Sequence, residues 1–385
     1  MAQTRREFLA RTALIGCSLA ASPLVTPVTW ASAPWDARLV VIILRGGMDG
    51  LDVVRPVGDP AFAALRPRLN AGDPALDLDG FFALHPALAP LMPLWRREEL
   101  GFVHAVSTPY RDKRSHFDGQ DLLEAGTDAL GGPVRDGWLN RMLQAVPGLS
   151  AETAYAIGTS ELRVLGGAAP VANWTPEARL RLSPQALRLA DLVMEDDAAL
   201  HAALSEAQSL SGGLEGGEKG RPHVKIARFA AARLAGPARI AAFSLTGWDT
   251  HRAQDRTLPR ALGRLSDTLL TLRDDLPAEV WDKTAVLAMT EFGRTARENG
   301  TGGTDHGTAG LMLLAGGAIR GGRVHGRWPG LDSSALYQAR DLMPTADVRV
   351  PAAWVMRGLT GLPKALFEET VFPGLHMGRD MQLLR

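Results

Sequence analysis

Five short apolar runs most strongly limit what this chain can fold into. Apolar runs of this length are typical of buried strands, and the first of them is rich in β-branched residues and stops at a glycine-rich turn. Between them, leucines and a tryptophan recur at helical spacing, which predicts an α/β fold with helices on both faces of a mainly parallel sheet. The runs are ARLVVIIL (37–44), GFVHAVST (101–108), ARIAAFSL (238–245), TAVLAM (284–289) and AGLMLLAGG (309–317). The helical sets are Leu84, Leu88, Leu91, Leu94 and Trp95, and Leu258, Leu262, Leu265, Leu269, Leu270 and Leu272.

The length and the charge of the chain further limit the class of protein it can be. The chain has 385 residues, 46% of them hydrophobic, so it can bury a large core. Lys plus Arg and Asp plus Glu both number 42, so the overall charge gives no reason to expect binding to nucleic acid.

The N-terminal segment TRREFLARTALIGCSLAASPLVTPVTWASA is typical of a twin-arginine export signal. Its apolar part is too short and too interrupted to span a bilayer. We therefore expect a signal at residues 1–33 and one domain at 34–385, with a helical, loop-rich insertion around 128–240. The mature chain should have no transmembrane segment, use the twin-arginine translocation machinery as a partner, and be periplasmic or secreted.

Cys17 is the only cysteine. It follows Leu14-Ile15-Gly16, a pattern that resembles a lipoprotein processing site, so a lipid anchor at Cys17 is a minor alternative. If the signal is removed after Cys17, the mature chain has no thiol, which excludes disulfides and cysteine nucleophiles.

Polar residues cluster where the predicted strands end. Ligands bind at the carboxyl ends of the strands in open α/β sheets, so these clusters should meet in space. Carboxylates and imidazoles are suitable ligands for zinc or manganese, and two neighbouring ions need about six such groups. The candidates are Asp49, Asp249, His251, Glu291, Asp305 and His306.

Each cluster also has a structural interpretation. Asp49 in GGMDGLD could cap a tight turn, and Asp249 and His251 could lie in a solvated turn above Trp248. Ser115, in YRDKRSHFDGQD, precedes a predicted helix, where it could be an N-cap or a hydroxyl activated by the helix dipole. Arg114 beside it could bind an oxyanion.

Six segments together resemble a known family. They are LRGGMDGLD, FFALHPALAPL, VHAVSTPYRDKRSHFDGQD, GWDTH, TEFGRT and GTDHG. In this order they resemble the "domain of unknown function 1501" family of twin-arginine-exported bacterial proteins, placed in the alkaline phosphatase and sulfatase superfamily. The resemblance implies a three-layer α/β/α fold with an alkaline-phosphatase-like core.

The resemblance also implies roles for particular residues. Asp49 corresponds to the first metal-binding aspartate and Ser115 to the nucleophile. Asp249 corresponds to the aspartate that opens the other metal site, and His306 to the last metal-binding histidine. Asp305 is then a partner that orients His306 or caps the loop.

Two positions depart from the superfamily pattern. A histidine is expected four residues after Asp249, but Ala253 stands there and His251 is the nearest substitute. Glu291 takes the place of an aspartate, and Phe292 stands where a second histidine is expected. The second metal site would then hold a harder ion such as calcium or magnesium, recruit His116, or be empty.

The expected function is an exported hydrolase of phosphate or sulfate esters that uses one or two divalent ions, zinc or manganese before calcium or magnesium. Ser115, with Arg114 and His116 beside it, or a metal hydroxide would attack a small anionic ester. The alternatives are a non-catalytic exported binding or assembly protein with a structural metal and, third, a calcium-binding surface protein.

Overall fold

The computed structural model describes residues 33–72, 74–111, 113–158, 162–176 and 221–385. The expected export signal, including Cys17 but apart from Ala33 at its end, lies outside these residues, as do residues 177–220 of the expected insertion.

Twelve strands are found in the described residues, nine of them in one central sheet. The order of this sheet is β11-β5-β10-β9-β1-β8-β6-β7, with β12 beside β5, and β2, β4 and β3 form a small separate sheet. The strands are β1 (Arg38–Arg45), β2 (Val54–Arg55), β3 (Leu76–Asp77), β4 (Ala83–Leu84), β5 (Leu100–Ser107), β6 (Ala154–Ile157), β7 (Ala172–Trp174), β8 (Ile240–Thr246), β9 (Thr284–Met289), β10 (Gly310–Ala315), β11 (Val324–His325) and β12 (Ala346–Asp347).

All pairings in the central sheet are parallel except those of β10 with β9 and with β5. The prediction of a mainly parallel sheet is confirmed. Because β10 runs in the opposite direction, its first residue lies at the same edge as the last residues of β1, β5, β8 and β9.

The helices connect these strands. They are α1 (Gly50–Val53), α2 (Phe62–Leu65), α3 (Met92–Arg96), α4 (His116–Ala125), α5 (Trp138–Gln144), α6 (Pro222–Leu234), α7 (Gln254–Asp275), α8 (Ala278–Trp281), α9 (Arg349–Thr360) and α10 (Lys364–Leu366). Short 3₁₀ segments span Pro86–Leu91, Ala151–Thr153 and Arg163–Leu165, and a π-helical turn spans Phe367–Val371. Among these described residues, none of the helices combines the length and apolar character needed to cross a membrane.

Helices cover both faces of the sheet, so the fold is a three-layer α/β/α arrangement, as predicted. In β1, Val40, Ile42 and Leu44 pack with α6 and α7 on one face. The alternating residues Leu39, Val41 and Ile43 pack with α5 and α9 on the other. This alternation follows from the two-residue period of a strand and explains why β1 has apolar residues at consecutive positions.

The first predicted helical segment is only partly a helix. Leu84 lies in β4, where it pairs with Val54 and Leu76. The region 86–91 forms a 3₁₀ segment that α3 continues. Proline lacks an N–H donor, so the three prolines between residues 86 and 93 favour this irregular path over one regular helix.

Two topological details were not predicted. β5 runs parallel to β1, but β9 and β10 lie between them, so the first strand-helix-strand unit is not a pair of neighbouring strands. The described part of 128–240, expected as a helical, loop-rich insertion, contributes helices and also adds β6 and β7 to the central sheet. β6 pairs with β8 in register, so this part continues the sheet.

Candidate metal centre

Three loops at the carboxyl edge of the sheet bring four polar side chains together. His116 is the first residue of α4, Asp249 and His251 follow β8, and His306 precedes β10. One potential ligand atom from each of His116, Asp249 and His306 lies within 4.8 Å of the other two. In the described parts of the chain this is the one group of three or more His, Cys, Asp or Glu side chains that could hold a metal ion.

The four side chains point their ligand atoms at one another. His251 Nε2 lies 2.9 Å from His306 Nε2 and 3.1 Å from Asp249 Oδ1. His306 Nε2 lies 3.2 Å from Asp249 Oδ1, and His116 Nε2 lies 3.5 Å from Asp249 Oδ2. Ligand atoms about 3.3 Å apart are expected around a tetrahedral ion with bonds of about 2.0 Å, so the spacing suits zinc.

The other nitrogen of each ring determines where its proton lies. His116 Nδ1 is 2.8 Å from Glu291 Oε1 and His251 Nδ1 is 3.1 Å from Asp305 Oδ1. His306 Nδ1 is 2.9 Å from the Arg114 carbonyl oxygen. Carboxylate and carbonyl oxygens accept hydrogen bonds, so each Nδ1 must donate, and each neutral ring presents a lone pair at Nε2.

Three lone pairs and a carboxylate therefore face one point without a hydrogen between them. These electron-rich groups repel one another unless they share a cation. In addition, His116 Nε2 is buried and has no hydrogen-bond partner. Burial lowers the pKa of His306. The hydrogen bond to Glu291 raises the pKa of His116, and the charges of Glu291 and Asp249 add to it, so this position attracts a cation. The residues present fit a divalent metal ion.

Asp249 is held in its ionised form by Arg294. Burial favours the neutral acid, but the hydrogen bond and charge of Arg294 outweigh it, and the pKa of Asp249 falls to about 2. Arg294 Nη2 donates to Asp249 Oδ1 at 2.6 Å from a side chain with no exposed surface. The carboxylate itself is half exposed, at 47%, so the centre opens to solvent on this side.

Arg294 also links the segments that follow β1 and β8 through hydrogen bonds. Its guanidinium donates to the carbonyl oxygens of Gly46, Gly47, Trp248 and Thr304. Gly46 has a φ of +128°, and a Cβ there would lie 2.6 Å from the Asp249 nitrogen. Glycine at this position therefore lets the end of β1 approach the loop after β8 closely enough for one arginine to reach both.

Glu291 lies behind His116 and is fully buried. Its Oε1 accepts hydrogen bonds from the Gly46 N–H, from Gln120 Nε2 and from His116. Its Oε2 accepts one from Thr290. Burial favours the neutral acid, but these donors lower the pKa of Glu291, the bond from His116 contributing most. Glu291 was predicted as a ligand. It lies instead behind His116, one of the residues that could hold a metal ion, and bonds to its ring.

Asp49 does not join the group. Its Oδ2 accepts from Arg66 Nη1 at 2.6 Å and from Gln254 Nε2 at 2.7 Å, and the Asp49 and Arg66 side chains are both buried. Burial opposes ionisation of Asp49, but the charge and hydrogen bond of Arg66 lower its pKa. Arg66 also donates to two backbone carbonyls, those of Thr295 and Ala296.

The predicted catalytic residues border the group. Ser115 is the N-cap of α4, and its Oγ accepts from the Asp118 N–H at 3.4 Å. Arg114 has a φ of +55°, a strained conformation for a residue with a side chain, and in it the Arg114 carbonyl reaches His306. Asp305 orients His251, where the sequence suggested His306. His116, predicted as catalytic, lies among the possible ligands.

Phe292 occupies the space behind the rings. It stacks on His116 with ring centroids 5.1 Å apart and lies 4.9 Å from His306. A Cβ at Gly47 would lie 2.7 Å from this ring, so no side chain fits between Phe292 and the end of β1.

Four functional residues were missed in the sequence. Arg294 and Gln120 lie inside the quoted segments TEFGRT and SHFDGQD, and Gln120 is one helical turn after His116, which was the available signal. Arg340 donates to the His306 carbonyl oxygen, and Arg66 binds Asp49. No local pattern marks Arg66 or Arg340, because Asp49 and His306, the residues at which they act, are 17 and 34 positions away in sequence.

Comparison with known proteins gave a family and several distant structures. The family model described as "Protein of unknown function (DUF1501)" matches residues 90–352. A search of curated proteins found no match.

One similar structure is a protein in the alkaline phosphatase superfamily from Vibrio parahaemolyticus, with a TM-score of 0.36 and 11% identity over 76% of this chain and 64% of that chain. The chain thus spans less than two thirds of that protein's length. Another is the C-terminal periplasmic domain of EcEptC from Escherichia coli, with a TM-score of 0.39 and 11% identity over 91% and 89% of the two chains. The same domain in complex with Zn gives a TM-score of 0.33 and 10% identity over 74% of each chain.

Proposed function

Since this chain belongs to the DUF1501 family, which is described as of unknown function, we propose an activity from the centre itself. The protein is an exported, metal-dependent hydrolase of phosphate or sulfate esters. The observation that carries the proposal is the convergence of three imidazole Nε2 atoms on Asp249, with every Nδ1 bonded to an acceptor. A metal centre with such outer partners is pre-organised for its ion.

The ligand set favours zinc or manganese. Imidazole nitrogens suit these ions, whereas calcium and magnesium prefer oxygen ligands. When bound, the ion supplies positive charge and Lewis acidity to an ester oxygen. The ligands His116, Asp249, His251 and His306 hold it in the loops at the open edge of the sheet.

The ester class comes from the resemblance to the alkaline phosphatase and sulfatase superfamily and is supported by two arginines. Arg114 and Arg340 flank His306, and about a third of each side chain is exposed, at 36% and 35%. Guanidinium groups bind phosphate and sulfate oxygens well. Both guanidiniums pair with the buried Asp341. We propose that their remaining donors bind the non-reacting oxygens of an anionic ester.

Ser115 is the candidate nucleophile. Its Oγ accepts the Asp118 N–H, which leaves the hydroxyl hydrogen free, and the dipole of α4 favours negative charge at this end. Attack of Oγ on phosphorus or sulfur breaks the bond to the ester alcohol, and water then cleaves the serine ester. Direct attack by water is the other route.

Metal analysis combined with an assay tests the proposal. Purified protein is assayed on an aryl phosphate, an aryl phosphodiester and an aryl sulfate, together with His306→Ala and the control His376→Ala, whose side chain is 90% exposed. We expect metal and turnover in the wild type and in the control, and neither in His306→Ala. A folded wild type without metal and without turnover rules the hydrolase out.

Replacing Ser115 by alanine separates the two routes. If Ser115 attacks, turnover is lost while metal content is unchanged, and stability falls by about 1 kcal/mol because a helix cap is removed. Turnover that survives in Ser115→Ala assigns the attack to water.

A non-catalytic exported binding or assembly protein with a structural metal is the second candidate. The salt bridge of Asp49 with Arg66 and the position of Phe292 favour it, because both occupy places that the superfamily resemblance assigns to metal binding. Stoichiometric metal with no turnover on any of the three ester classes supports this candidate.

The export part of the proposal rests on Arg5 and Arg6. Replacing both with lysine should leave the precursor in the cytoplasm, as measured by cell fractionation. Replacing Cys17 with alanine tests the lipid anchor, since a lipid-anchored protein should lose its membrane association.

A further inference from the structure

We propose that this chain holds one metal ion. The position that corresponds to the second metal site of the superfamily is closed by the Arg66 guanidinium and the Phe292 ring. The proposal rests on the metal centre of the proposed function and specifies how many ions that centre contains. It concerns Asp49, which the resemblance gives as the first metal-binding aspartate, and Glu291 and Phe292, where the resemblance expects an aspartate and a histidine.

Arg66 already neutralises Asp49. The two side chains are in contact at 2.6 Å, and each has about 1% of its surface exposed. A divalent ion at Asp49 would have to displace a buried guanidinium that also binds two backbone carbonyls, and separating a buried ion pair is strongly unfavourable. Asp49 Oδ1 is buried without a hydrogen-bond partner, but among the described residues Asp49 belongs to no group of three or more side chains that could hold a metal ion.

The other two positions offer no ligand either. Glu291 has both oxygens engaged, and two of its donors, His116 and Gln120, come from α4. His116 links Glu291 to the first centre. Phe292 fills the position of an expected histidine with a ring that packs on His116 and His306. The same two residues that would build a second site therefore support the first.

Arg294 adds a further obstacle. Its guanidinium lies between the end of β1 and Asp249, with no exposed surface, and bonds the carbonyl oxygens of Gly46 and Gly47. Arg294 is already offset by Asp249, which would also bind the first ion. A second cation would therefore meet two positive charges at short range and be repelled.

Counting ions per chain tests the proposal without any assay of turnover. Exported protein is saturated with Zn²⁺, freed of loosely bound ions and measured by elemental analysis and native mass spectrometry. One ion per chain is expected. A count of two ions per chain overturns this inference but not the proposed hydrolase. A count of zero overturns the metal centre on which both proposals depend.

Two variants locate the ion. Asp49→Asn should keep one ion per chain, because Asp49 is not a ligand, whereas His306→Ala should keep none. Loss of the ion from folded Asp49→Asn contradicts the proposal. If Asp49→Asn does not fold, the ion count of the wild type still decides.

Discussion

At the scale of single residues, the centre depends on the groups behind its ligands. Glu291, Asp305 and the Arg114 carbonyl each accept from a different imidazole. These acceptors set the tautomer and the direction of each ring, so at the proposed metal centre they would control the affinity for an ion without touching it.

Asp305 allows this control to be measured, because its side chain is about half exposed and its loss should not disturb the core. We expect Asp305→Ala to weaken Zn²⁺ binding by about 10- to 100-fold, since His251 loses the partner that orients it. Competition with a chromogenic chelator measures the affinity. The control is Asp274→Ala, an exposed aspartate near the end of α7. Equal affinities in the two variants would show that Asp305 does not act on the centre.

The sequence indicated some of the side chains that meet, but not the whole set and not how they pair. Asp249, His251 and His306 lie next to strand ends, so their approach follows from the topology. The salt bridge of Asp49 with Arg66 could not be predicted, because Arg66 lies in an irregular segment between α2 and β3. The same holds for Arg294, whose five partners come from several loops.

At the scale of elements, the five longest of the twelve described strands were predictable and their neighbours in the sheet were not. The apolar runs 37–44 and 284–289 correspond to β1 and β9 within one residue. The reversed direction of β10 depends on the loop 290–309, in which Gly293 and Gly307 approach other backbone closely. That close approach is a tertiary property and has no local signal.

Gly293 lets this loop turn back onto β10. A Cβ there would lie 1.8 Å from the Ala309 carbonyl oxygen, whereas a Cβ at Gly300 meets nothing within 4 Å. We expect Gly293→Ala to lower the free energy of unfolding by about 2 kcal/mol or more, because the backbone has to move, and to weaken metal binding by displacing His306. Gly300→Ala should match the wild type. Urea unfolding measures the stability and chelator competition measures the metal affinity. If Gly293→Ala matches the wild type in both measurements, this contact does not have the proposed role.

Strand β5 contains a bulge that involves a buried histidine. The register shifts at Leu311, opposite His104, and Ala105 has a φ of +56°. His104 Nδ1 accepts from the Ala105 N–H, so its Nε2 carries the proton and donates to the Val54 carbonyl. Burial lowers the pKa of His104 to about 4.

This histidine makes stability depend on pH. In the unfolded chain it is protonated below about pH 6.5, whereas in the fold it stays neutral down to about 4. The unfolded state therefore binds more protons in this window, and stability falls as the pH drops from 6.5 to 4, by up to about 3 kcal/mol. Urea unfolding at pH 7.5 and 5 tests this. The variant His104→Gln should lose less stability on acidification, and an unchanged difference would rule His104 out as the cause.

At the scale of the whole molecule, the centre joins segments that are far apart in the chain. His116, Asp249 and His306 come from the start of α4, the loop after β8 and the loop before β10. These three residues come together only in the folded state, so an ion can bind to all of them only there. Metal binding should therefore stabilise the entire α/β/α fold, even though the ligands occupy one edge of the sheet.

Metal removal measures this linkage. At a free Zn²⁺ concentration 100-fold above Kd, the folded state gains about 2.7 kcal/mol, which for a chain of this length raises Tm by about 3 to 4 °C. Scanning calorimetry of chelated and reloaded protein should show this difference in the wild type and in His376→Ala. His306→Ala should melt at the same temperature with and without Zn²⁺, because the ion has lost a ligand. A Zn²⁺-dependent rise of equal size in His306→Ala would place the stabilising ion at another site.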